Sequence, residues 1–391
     1  MAYHLKFALF HLLALLAVLG FVLGGHWLWL GAFVAFAVVI PGDLLLGEDL
    51  SVPENPRTGL LNLQLYLALP LLLCLVFPLM WMASSEDPLG FGAAIGALGY
   101  DLFAARAATT GLDYLGGFFS ASLFIAIIGT LVAHELVHRT WNPGEVFLGR
   151  VLLAFSFDSA FSIEHVYGHH EYIGSKRDPA TAPRGRNVYQ HILLSTWRGN
   201  ISAWFLEKQR LDRKGLATLS AHNRVIRGWL MSLFLLALIG SVFGLRAAAY
   251  YVLCGLGAKA LLEVINFIEH YGLIRADGKP CKPHHSWNSN RVISSWSLFN
   301  LTRHSDHHEH GEKPYWALQS YPDAPMMFSG YLATLAVTFI PPLWNHLMAP
   351  KLLDWDLNFA TPEEKALARQ ANQESGLAVF TGLNRKSEIT A

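Results

Sequence analysis

The sequence predicts an all-α integral membrane protein, with six transmembrane helices and a helical cap on their cytoplasmic side. Hydrophobic residues make up 53% of the chain and charged residues only 15%, whereas a soluble domain carries about 25% charged residues. The apolar residues also come in runs of about 20, the length that crosses a bilayer as a helix. Both observations favour one membrane protein over two soluble domains.

Six apolar runs meet this criterion, and the stretches 60–83 and 114–133 contain no charged residue. The first run follows Lys6 and resembles a signal peptide, but it is long for one, and a second apolar run follows at once. We therefore interpret it as the first span. The predicted spans are 6–25, 27–46, 60–83, 113–135, 228–245 and 247–269.

Two other apolar stretches are not predicted to span. Residues 91–110 are interrupted by Asp101 and Arg106, which favours a loop or an interfacial position. Residues 326–348 are uncharged but contain Pro341 and Pro342. Because proline breaks a continuous helix, a re-entrant or packed segment is favoured there over a span.

The charges between the spans predict the orientation. The segment 84–112 has three acidic residues against the single Arg106, whereas 139–227 is rich in lysine and arginine. Positive loops favour the cytoplasm, so 139–227, both termini and everything after 270 are predicted to be cytoplasmic. The basic residues of 139–227 include Arg139, Arg150, Lys176, Arg177, Arg184, Arg186, Arg198, Lys208, Arg210, Arg213 and Lys214.

The polar C-terminus is predicted to differ from the rest. Residues 1–350 are interpreted as a single membrane domain and 351–391 as a polar tail or linker. Within it, Thr361 is a candidate N-cap and Pro362 suits the first position of a short helix ending near Glu374. The final dozen residues are predicted to be disordered.

Composition excludes several classes of protein. The formal net charge is zero, so the chain has no nucleic-acid-binding signature. The three cysteines, Cys74, Cys254 and Cys281, form no CxxC pattern, which excludes a disulfide scaffold and a cysteine-built metal site. Histidine is the unusual residue, with 18 copies.

Nine of these histidines fall into four groups that follow the spans or lie between them. The groups are His134 and His138 in HELVH, His165, His169 and His170 in HVYGHH, His270 in NFIEHYG, and His304, His307 and His308 in HSDHH.

The spacing within the groups predicts two metal ions. Residues four apart share one face of a helix, so His134 pairs with His138, and His165 pairs with His169. In the same way, His304 pairs with His307 or His308. His170 lies about 100° further round an α-helix and faces a second target. Nine imidazoles divided between two ions give about four or five nitrogens each. Imidazole suits iron, copper, zinc and nickel, so the ligand type alone does not choose the metal.

Each group also has an acidic neighbour. Glu135, Glu164, Glu269 and Asp306 are candidates to accept the second ring N–H of a metal-bound histidine, as carboxylates commonly do. Because adjacent helical residues do not face each other, such pairs are expected between motifs as well as within them. Lys259 and Glu263, four apart inside the sixth span, are interpreted as a mutual ion pair or as residues with a role at the metals.

The four motifs, in this order and between these spans, resemble the membrane alkane hydroxylases of the fatty-acid desaturase and hydroxylase superfamily. The stretches GSKRDPATAPRG (174–185) and HSWNSN (285–290) are similar too, and the resemblance covers about 40–350. It implies a non-haem di-iron centre, held by the nine histidines, that uses O2 to hydroxylate medium-chain n-alkanes at the terminal carbon. It also implies the inner membrane of a bacterium and a rubredoxin, served by its reductase, as the electron donor.

A rubredoxin site needs four cysteine thiolates, which these three cysteines cannot supply. We expect the donor to be a separate protein or a further domain, docked on the basic surface around 176–214. Alternatives within the superfamily are a fatty acyl desaturase or hydroxylase and a xylene-type methyl monooxygenase. Outside it, HELVH matches the HExxH zinc proteases, with Glu135 as the base, but a protease zinc would leave most motif histidines without a role. A metal transporter is the third class, but its polar residues should lie near the middle of the membrane, whereas these histidines lie at helix ends and in the cytoplasmic segments.

Overall fold

The computed structural model describes residues 2–380, with side chains from residue 3 onward. Within this range the fold is helical, with two isolated β-bridges and no strand. Its main helices, in chain order, are α1 (Tyr3–Leu23), α2 (Gly25–Leu45), α3 (Thr58–Ala83), α4 (Phe91–Ala97), α5 (Leu102–Ala108), α6 (Gly111–His138), α7 (Pro143–Ala154), α8 (Phe161–Glu164), α9 (Val188–Asp212), α10 (Arg224–Phe243), α11 (Leu245–His270), α12 (Val292–Ser297), α13 (His304–Glu309), α14 (Tyr331–Thr338), α15 (Pro341–Asp354) and α16 (Pro362–Glu374).

Six helices are long and apolar enough to cross a membrane, which confirms the predicted all-α fold. They are α1, α2, α3, α6, α10 and α11, and each begins and ends within a few residues of its predicted span. Because α10 crosses back between them, α6 and α11 run in the same direction. Their final residues, His138 and His270, therefore lie on one side of the protein.

The doubtful stretch at 91–110 forms the short helices α4 and α5. The segment Pro88–Ala97 is bent by 109° against α5, so the two helices do not form a straight span. Asp101 caps α5 by accepting a hydrogen bond from the backbone N–H of Ala104 at 2.9 Å. The same aspartate that interrupts the apolar run therefore begins the second helix.

Glycines bring the spans into close contact. A Cβ on Gly257 of α11 would lie 2.2 Å from Oγ of Ser122 on α6, and one on Gly116 of α6 would lie 2.4 Å from the Trp29 ring of α2. Close approach of backbones is the usual role of glycine between membrane helices. These positions are therefore filled by neighbouring helices and leave no room for a ligand.

The remaining helices on the histidine side form the cap, which comprises residues 143–212 and 271–380. It has its own hydrophobic core, in which Phe267 and Tyr271 at the end of α11 pack against Trp344 of α15. The cap is also tied to the spans through Asp43 of α2, which accepts hydrogen bonds from the N–H and Oγ of Ser294 at 2.8 and 2.5 Å.

The stretch 326–348 contributes to this cap. It is divided between α14 and α15, which have 8 and 14 residues, and neither is among the helices that could cross a membrane. The break falls immediately before Pro341, the first residue of α15. These residues follow the packed arrangement that the sequence favours.

The C-terminal segment, residues 351–380, packs against the rest of the cap. Thr361 caps α16 as predicted, through a capping box with Glu364. Arg184 forms an ion pair with Asp356 at 2.6 Å, and Trp355 is fully buried. Residues 351–380 are therefore attached to the cap, while most of the dozen residues predicted to be disordered lie outside the described range.

Candidate metal centre

The first histidines are positioned by the ends of two spans. His134 and His138 lie in the last turns of α6, and His270 is the last residue of α11. A π-helical segment, Ile125–Leu131, precedes His134 within α6. Such segments widen a helix by one residue and are frequent at functional sites.

The other histidines belong to the cap. His165, His169 and His170 follow α8, and α13 carries the remaining three. Asn288 of the HSWNSN stretch positions α13, because its Oδ1 accepts a hydrogen bond at 2.7 Å from the N–H of Ser305. The last cap histidines therefore depend on a loop just upstream of them.

The structure brings all nine histidines together in two groups. Within each group, one nitrogen of every ring lies within 4.8 Å of the others. The group of five contains His134, His138, His165, His170 and His307, and the group of four contains His169, His270, His304 and His308.

The distances between the rings suit metal ligands. Nε2 of His170 lies 3.2 Å from Nε2 of His165, and Nε2 of His304 lies 3.1 Å from that of His270. Two nitrogens at about 2.1 Å from one ion, at right angles, would be about 3 Å apart. Nε2 of His138 and of His307 are buried without a hydrogen-bond partner among the described residues. A bound cation would satisfy these orphaned lone pairs.

One predicted pairing is wrong. The spacing places His165 with His169, whereas the structure groups His165 with His170 and gives His169 to the group of four. The reason is local, since residues His165–His169 form a π-helix, in which residues five apart rather than four are hydrogen-bonded. In the regular helix α13, His304 and His308 keep the expected four-residue pairing.

Asp178 is a site residue that the sequence reading missed. Its Oδ2 lies 3.0 Å from Nδ1 of His169 and also accepts a hydrogen bond from Thr181 at 2.6 Å. Burial opposes protonation of His169, but the Asp178 carboxylate outweighs it and raises the pKa of that histidine. A metal bound at Nε2 would replace that proton, while Nδ1–H remained on Asp178. The sequence offered one signal for this role, because Asp178 lies in the GSKRDPATAPRG stretch that resembles the alkane hydroxylases.

The four predicted carboxylates have different surroundings. Glu269 accepts a hydrogen bond from the Tyr331 hydroxyl at 2.9 Å, and its other oxygen lies 3.2 Å from Nε2 of His304. It thus faces the metal side of that ring and could complete the group of four. Glu135 pairs instead with Arg139 at 2.8 Å, and Asp306 with Lys313 at 2.7 Å.

Among the described residues, neither Glu135 nor Glu164 forms a hydrogen bond with a histidine of the two groups. In a zinc protease Glu135 would face the metal-bound water, but here it points to Arg139, which also contacts Glu145. The protease interpretation therefore lacks its base. Glu164 lines a separate polar cavity, and its Oε1 has no hydrogen-bond partner among the described residues.

Burial keeps three of the cap histidines neutral. It lowers the pKa of His165, His170 and His307 well below the ordinary value, with neighbouring histidines adding to the effect. Neutral imidazole is the form that binds metal. The cluster is therefore prepared for cations.

An apolar cavity of about 110 Å³ opens onto the centre. His134, His165 and His304 form its polar end, and Glu269 and Tyr331 lie beside them. Its apolar wall comes from α6, α11 and α14 and includes Leu123, Ala126, Ile127, Leu262 and Leu335. A dry cavity of about 150 Å³ holds benzene, so this one accommodates the end of a hydrocarbon chain.

A larger groove of about 820 Å³ lies in the cap, between the 174–186 loop, residues 272–277 and α16. Asp178 lines it and thereby connects it to His169. Its cations outnumber its anions and include Lys176, Arg177, Arg186, Arg198 and Arg275.

Three histidines close to the motifs but outside the predicted site, His284, His285 and His310, have other partners. Nε2 of His285 lies 2.7 Å from Glu364 of α16, and Nε2 of His284 lies 3.2 Å from it. Because Nδ1 of His285 accepts the N–H of Lys282, its Nε2 carries the proton and cannot bind a metal as a neutral ring. His310 is half exposed and paired with Asp306.

Comparisons with known proteins agree on one group. The fatty acid desaturase family matches residues 112–325. The chain is 35% identical over 335 residues to alkane 1-monooxygenase 1 of Pseudomonas aeruginosa, covering 82% of this chain and 84% of that protein. It is 31% identical over 339 residues to alkane 1-monooxygenase 2 of the same organism, covering 83% and 84%. It is also 30% identical over 374 residues to the xylene/toluene monooxygenase hydroxylase component XylM of Pseudomonas putida, covering 95% of each.

Proposed function

The chain belongs to the fatty acid desaturase family, among the alkane 1-monooxygenases, and from this premise we propose that it hydroxylates medium-chain n-alkanes to primary alcohols. The observation that carries the proposal is the apolar cavity ending at His134, His165 and His304. A hydrocarbon end placed there would lie against the histidine cluster and away from water.

The nine histidines would hold two iron ions, one in the group of five and one in the group of four, the latter with Glu269 available as a further ligand. When bound, the iron pair supplies the activation of O2 and the transfer of one oxygen atom to a C–H bond. The balanced reaction is RH + O2 + 2 electrons + 2 H⁺ → ROH + H2O. The chain itself must position the substrate and provide routes for electrons and protons.

An alkane has no polar group by which to be held. Orientation therefore depends on the shape of the cavity wall, formed by side chains such as Leu123, Ile127 and Leu335. At about 110 Å³ the cavity is too small for a whole medium-length chain, so the rest of the substrate would extend between the spans. Each methylene that fits or clashes is worth about 1–3 kcal/mol in discrimination.

Electrons would come from a rubredoxin, kept reduced by its reductase, that docks in the basic groove of the cap. Such a donor is acidic, and exposed Lys176 and Arg177 would attract it. From the groove, Asp178 and its hydrogen bond to His169 form a direct connection to the group of four.

The protein is a multi-pass membrane protein, and its cap is expected to face the cytoplasm from the inner membrane of a bacterium. The excess of lysine and arginine in the segment 139–227 supports this orientation. Both termini and the histidine centre would then share the side on which soluble electron donors are present.

A second candidate is hydroxylation of an aromatic methyl group. Its support is the similarity to the xylene/toluene hydroxylase component, which extends over 95% of both chains. Fatty acyl desaturation requires the same O2 and electrons, but would need the chain held beside the centre along its length rather than at its end.

Product analysis tests the proposal. Membranes containing the protein would receive ferrous iron, a rubredoxin and its reductase, ¹⁸O2, and n-alkanes mixed with xylenes and a fatty acyl substrate. We expect labelled primary alcohols from the alkanes, absent in a His138→Ala variant. Labelled benzylic alcohols alone would favour the second candidate, and no oxygenated or desaturated product would overturn both.

A further inference from the structure

Three buried charged side chains lie beside the reaction cavity. Nζ of Lys259, in α11, contacts Asp158 at 2.7 Å and Glu263 at 2.6 Å, and both carboxylate side chains are 3% exposed. A mutual Lys259–Glu263 ion pair is one of the two interpretations that the sequence leaves open, and Asp158 as a third member is not predicted from it. Two carboxylates share one ammonium, so full ionisation would leave one uncompensated negative charge in a buried place, which is costly.

The two carboxylates differ in the number of hydrogen bonds that they accept. Glu263 also accepts from Oγ of Ser195 at 2.5 Å and from Nδ2 of Asn266 at 3.1 Å. Within residues 2–380, Lys259 is the only hydrogen-bond donor to the side chain of Asp158. Donors stabilise the charged form of a carboxylate, so the extra proton belongs on Asp158. Burial, opposed by Lys259, raises the pKa of Asp158 to about 6.

A cavity of about 20 Å³ lies beside this triad and shares lining residues with the reaction cavity. It is lined by the three charged residues, and Asn266 lines both this cavity and the apolar one. One water needs about 10–15 Å³, so the cavity has room for a single proton-carrying water. At its outer side are Gly199 and Asn200 of α9, both partly exposed.

Other titratable groups face the triad from the elements packed around it. They are Glu164 from the end of α8, Asp178 from the loop before α9, and His191 from α9. His191 is fully buried, and neither of its ring nitrogens has a hydrogen-bond partner among the described residues. It lies one turn before Ser195 on the same helix, so the inner face of α9 carries polar groups toward Glu263.

We propose that the Asp158–Lys259–Glu263 triad holds one exchangeable proton and supplies protons to the reaction cavity past Asn266. The inference rests on the proposed function, because hydroxylation consumes two protons for each alcohol formed. In each delivery the O–H bond of the Asp158 carboxylic acid breaks, and an O–H bond of the product water forms. The resulting carboxylate is reprotonated from solvent at the Asn200 side before the second delivery.

Kinetics of two near-isosteric variants test the proposal. Asp158→Asn imitates the protonated acid but has no proton to give, and Glu263→Gln removes the excess charge that holds the proton on Asp158. We expect both to lower kcat for alcohol formation by roughly 100-fold, the lower end of the effect of a positioned acid. The alkane KM and the bound iron should not change, the solvent deuterium isotope effect should rise, and Asp158→Glu should restore activity.

The matched control is Glu207→Gln. Glu207 is a fully buried carboxylate paired with Arg210 and Arg224 at 2.6 and 2.9 Å, and it lines neither cavity. A kcat in Asp158→Asn equal to that of the control would overturn the proposal. The wild-type protein is measured alongside, so a chain that hydroxylates nothing would count against the proposed function instead.

An infrared measurement tests the stored proton without turnover. Spectra are recorded at pH 5, below the pKa of Asp158, which is about 6. Other buried acids such as Glu164, whose pKa is also raised by burial, are removed by taking difference spectra against the wild-type protein. The differences for Asp158→Asn and Glu263→Gln should both show the loss of one protonated carboxylic acid band that shifts in D2O, while the difference for Glu207→Gln should not. No such loss in Asp158→Asn would contradict the assignment.

Discussion

The histidine cluster meets two contrasting surfaces, an apolar cavity among the spans and a basic groove in the cap. The cavity reaches it through His134, His165 and His304, and the groove reaches it through Asp178 and His169. A hydrocarbon avoids water, whereas an acidic protein is well solvated. The apolar cavity suits the first and the basic groove suits the second, and both lead to one centre. The comparison teaches that changes on one surface should leave the function of the other intact.

The largest expected effect comes from narrowing the cavity. Ala126→Leu adds bulk to its wall, so the longest accepted alkanes should lose kcat/KM relative to the shortest. The loss should be about 10–200-fold, which corresponds to 1–3 kcal/mol. Gas chromatography of competing alkanes measures it. The donor KM should stay constant, and Ala97→Leu, at an exposed position of α4, should change neither. A changed donor KM in Ala126→Leu would contradict the claim that the cavity and the groove function independently.

Asp178→Asn should affect the centre itself. The amide of the variant can still contact Nδ1 of His169. Because it has no charge, it orients the imidazole ring and raises the basicity of that ring less well than the carboxylate does. Loss of such a partner typically lowers metal affinity by about 10–100-fold. Titration of the apoprotein with ferrous iron measures this, and an unchanged affinity would show that the Asp178–His169 contact is incidental. The chain-length preference should be preserved.

Charge reversal in the groove should have a smaller effect. The double variant Lys176→Glu and Arg177→Glu should raise the donor KM several-fold at low salt and weaken its dependence on ionic strength, because exposed charges act at long range and are screened. Alkane preference should not change. Exposed Arg213 and Lys214 lie at the end of the basic surface predicted from the sequence but do not line the groove. The same reversal there should have little effect, and an equal effect would place docking outside the groove.

The smallest effect is expected for the attachment of α16, which borders the groove and is held to the cap through Glu364. Burial alone would raise the pKa of Glu364. Hydrogen bonds from His284, His285 and the N–H of Thr361 outweigh burial and hold that pKa below its usual value. Burial also lowers the pKa of His285. Both groups bind fewer protons when folded, so the attachment of α16 is complete above about pH 6.5 and weakens as the pH falls through the ordinary values of His and then Glu.

Glu364→Gln should weaken this attachment by about 1–3 kcal/mol at neutral pH. Limited trypsin digestion at Arg369, on the exposed side of α16, measures the release of the helix. Cleavage should quicken in the variant, and its pH dependence should diminish. Glu374→Gln, at an exposed position, should behave as the wild-type protein, and equal protection of all three proteins would refute the account.

Much of this architecture could be predicted from the sequence, because membrane spans and helical spacing are local signals. The apolar runs predicted six spans that agree with the structure. The helical spacing placed His134 with His138 and offered His308 as one of two partners for His304. Thr361 was recognisable as an N-cap from its neighbours alone.

The remaining features depend on backbone irregularity or on distant contacts. The π-helix at His165–His169 exchanges the partners of His165, and nothing in the spacing signals it. Asp178 reaches His169 through a loop, Tyr331 reaches Glu269 from 62 residues away, and Asp158 meets Lys259 from 101 residues away. Such pairings arise only when the cap folds onto the spans.

Metal analysis tests the central claim, that two ions are shared among nine histidines, most directly. The wild-type protein and His138→Ala, His308→Ala and exposed His346→Ala variants would be loaded with ferrous iron, and their metals counted per chain. We predict two irons in the wild-type protein and in His346→Ala, and fewer in each of the other two variants, which come from different groups. One zinc per chain, or an unchanged count of iron in both cluster variants, would contradict the account.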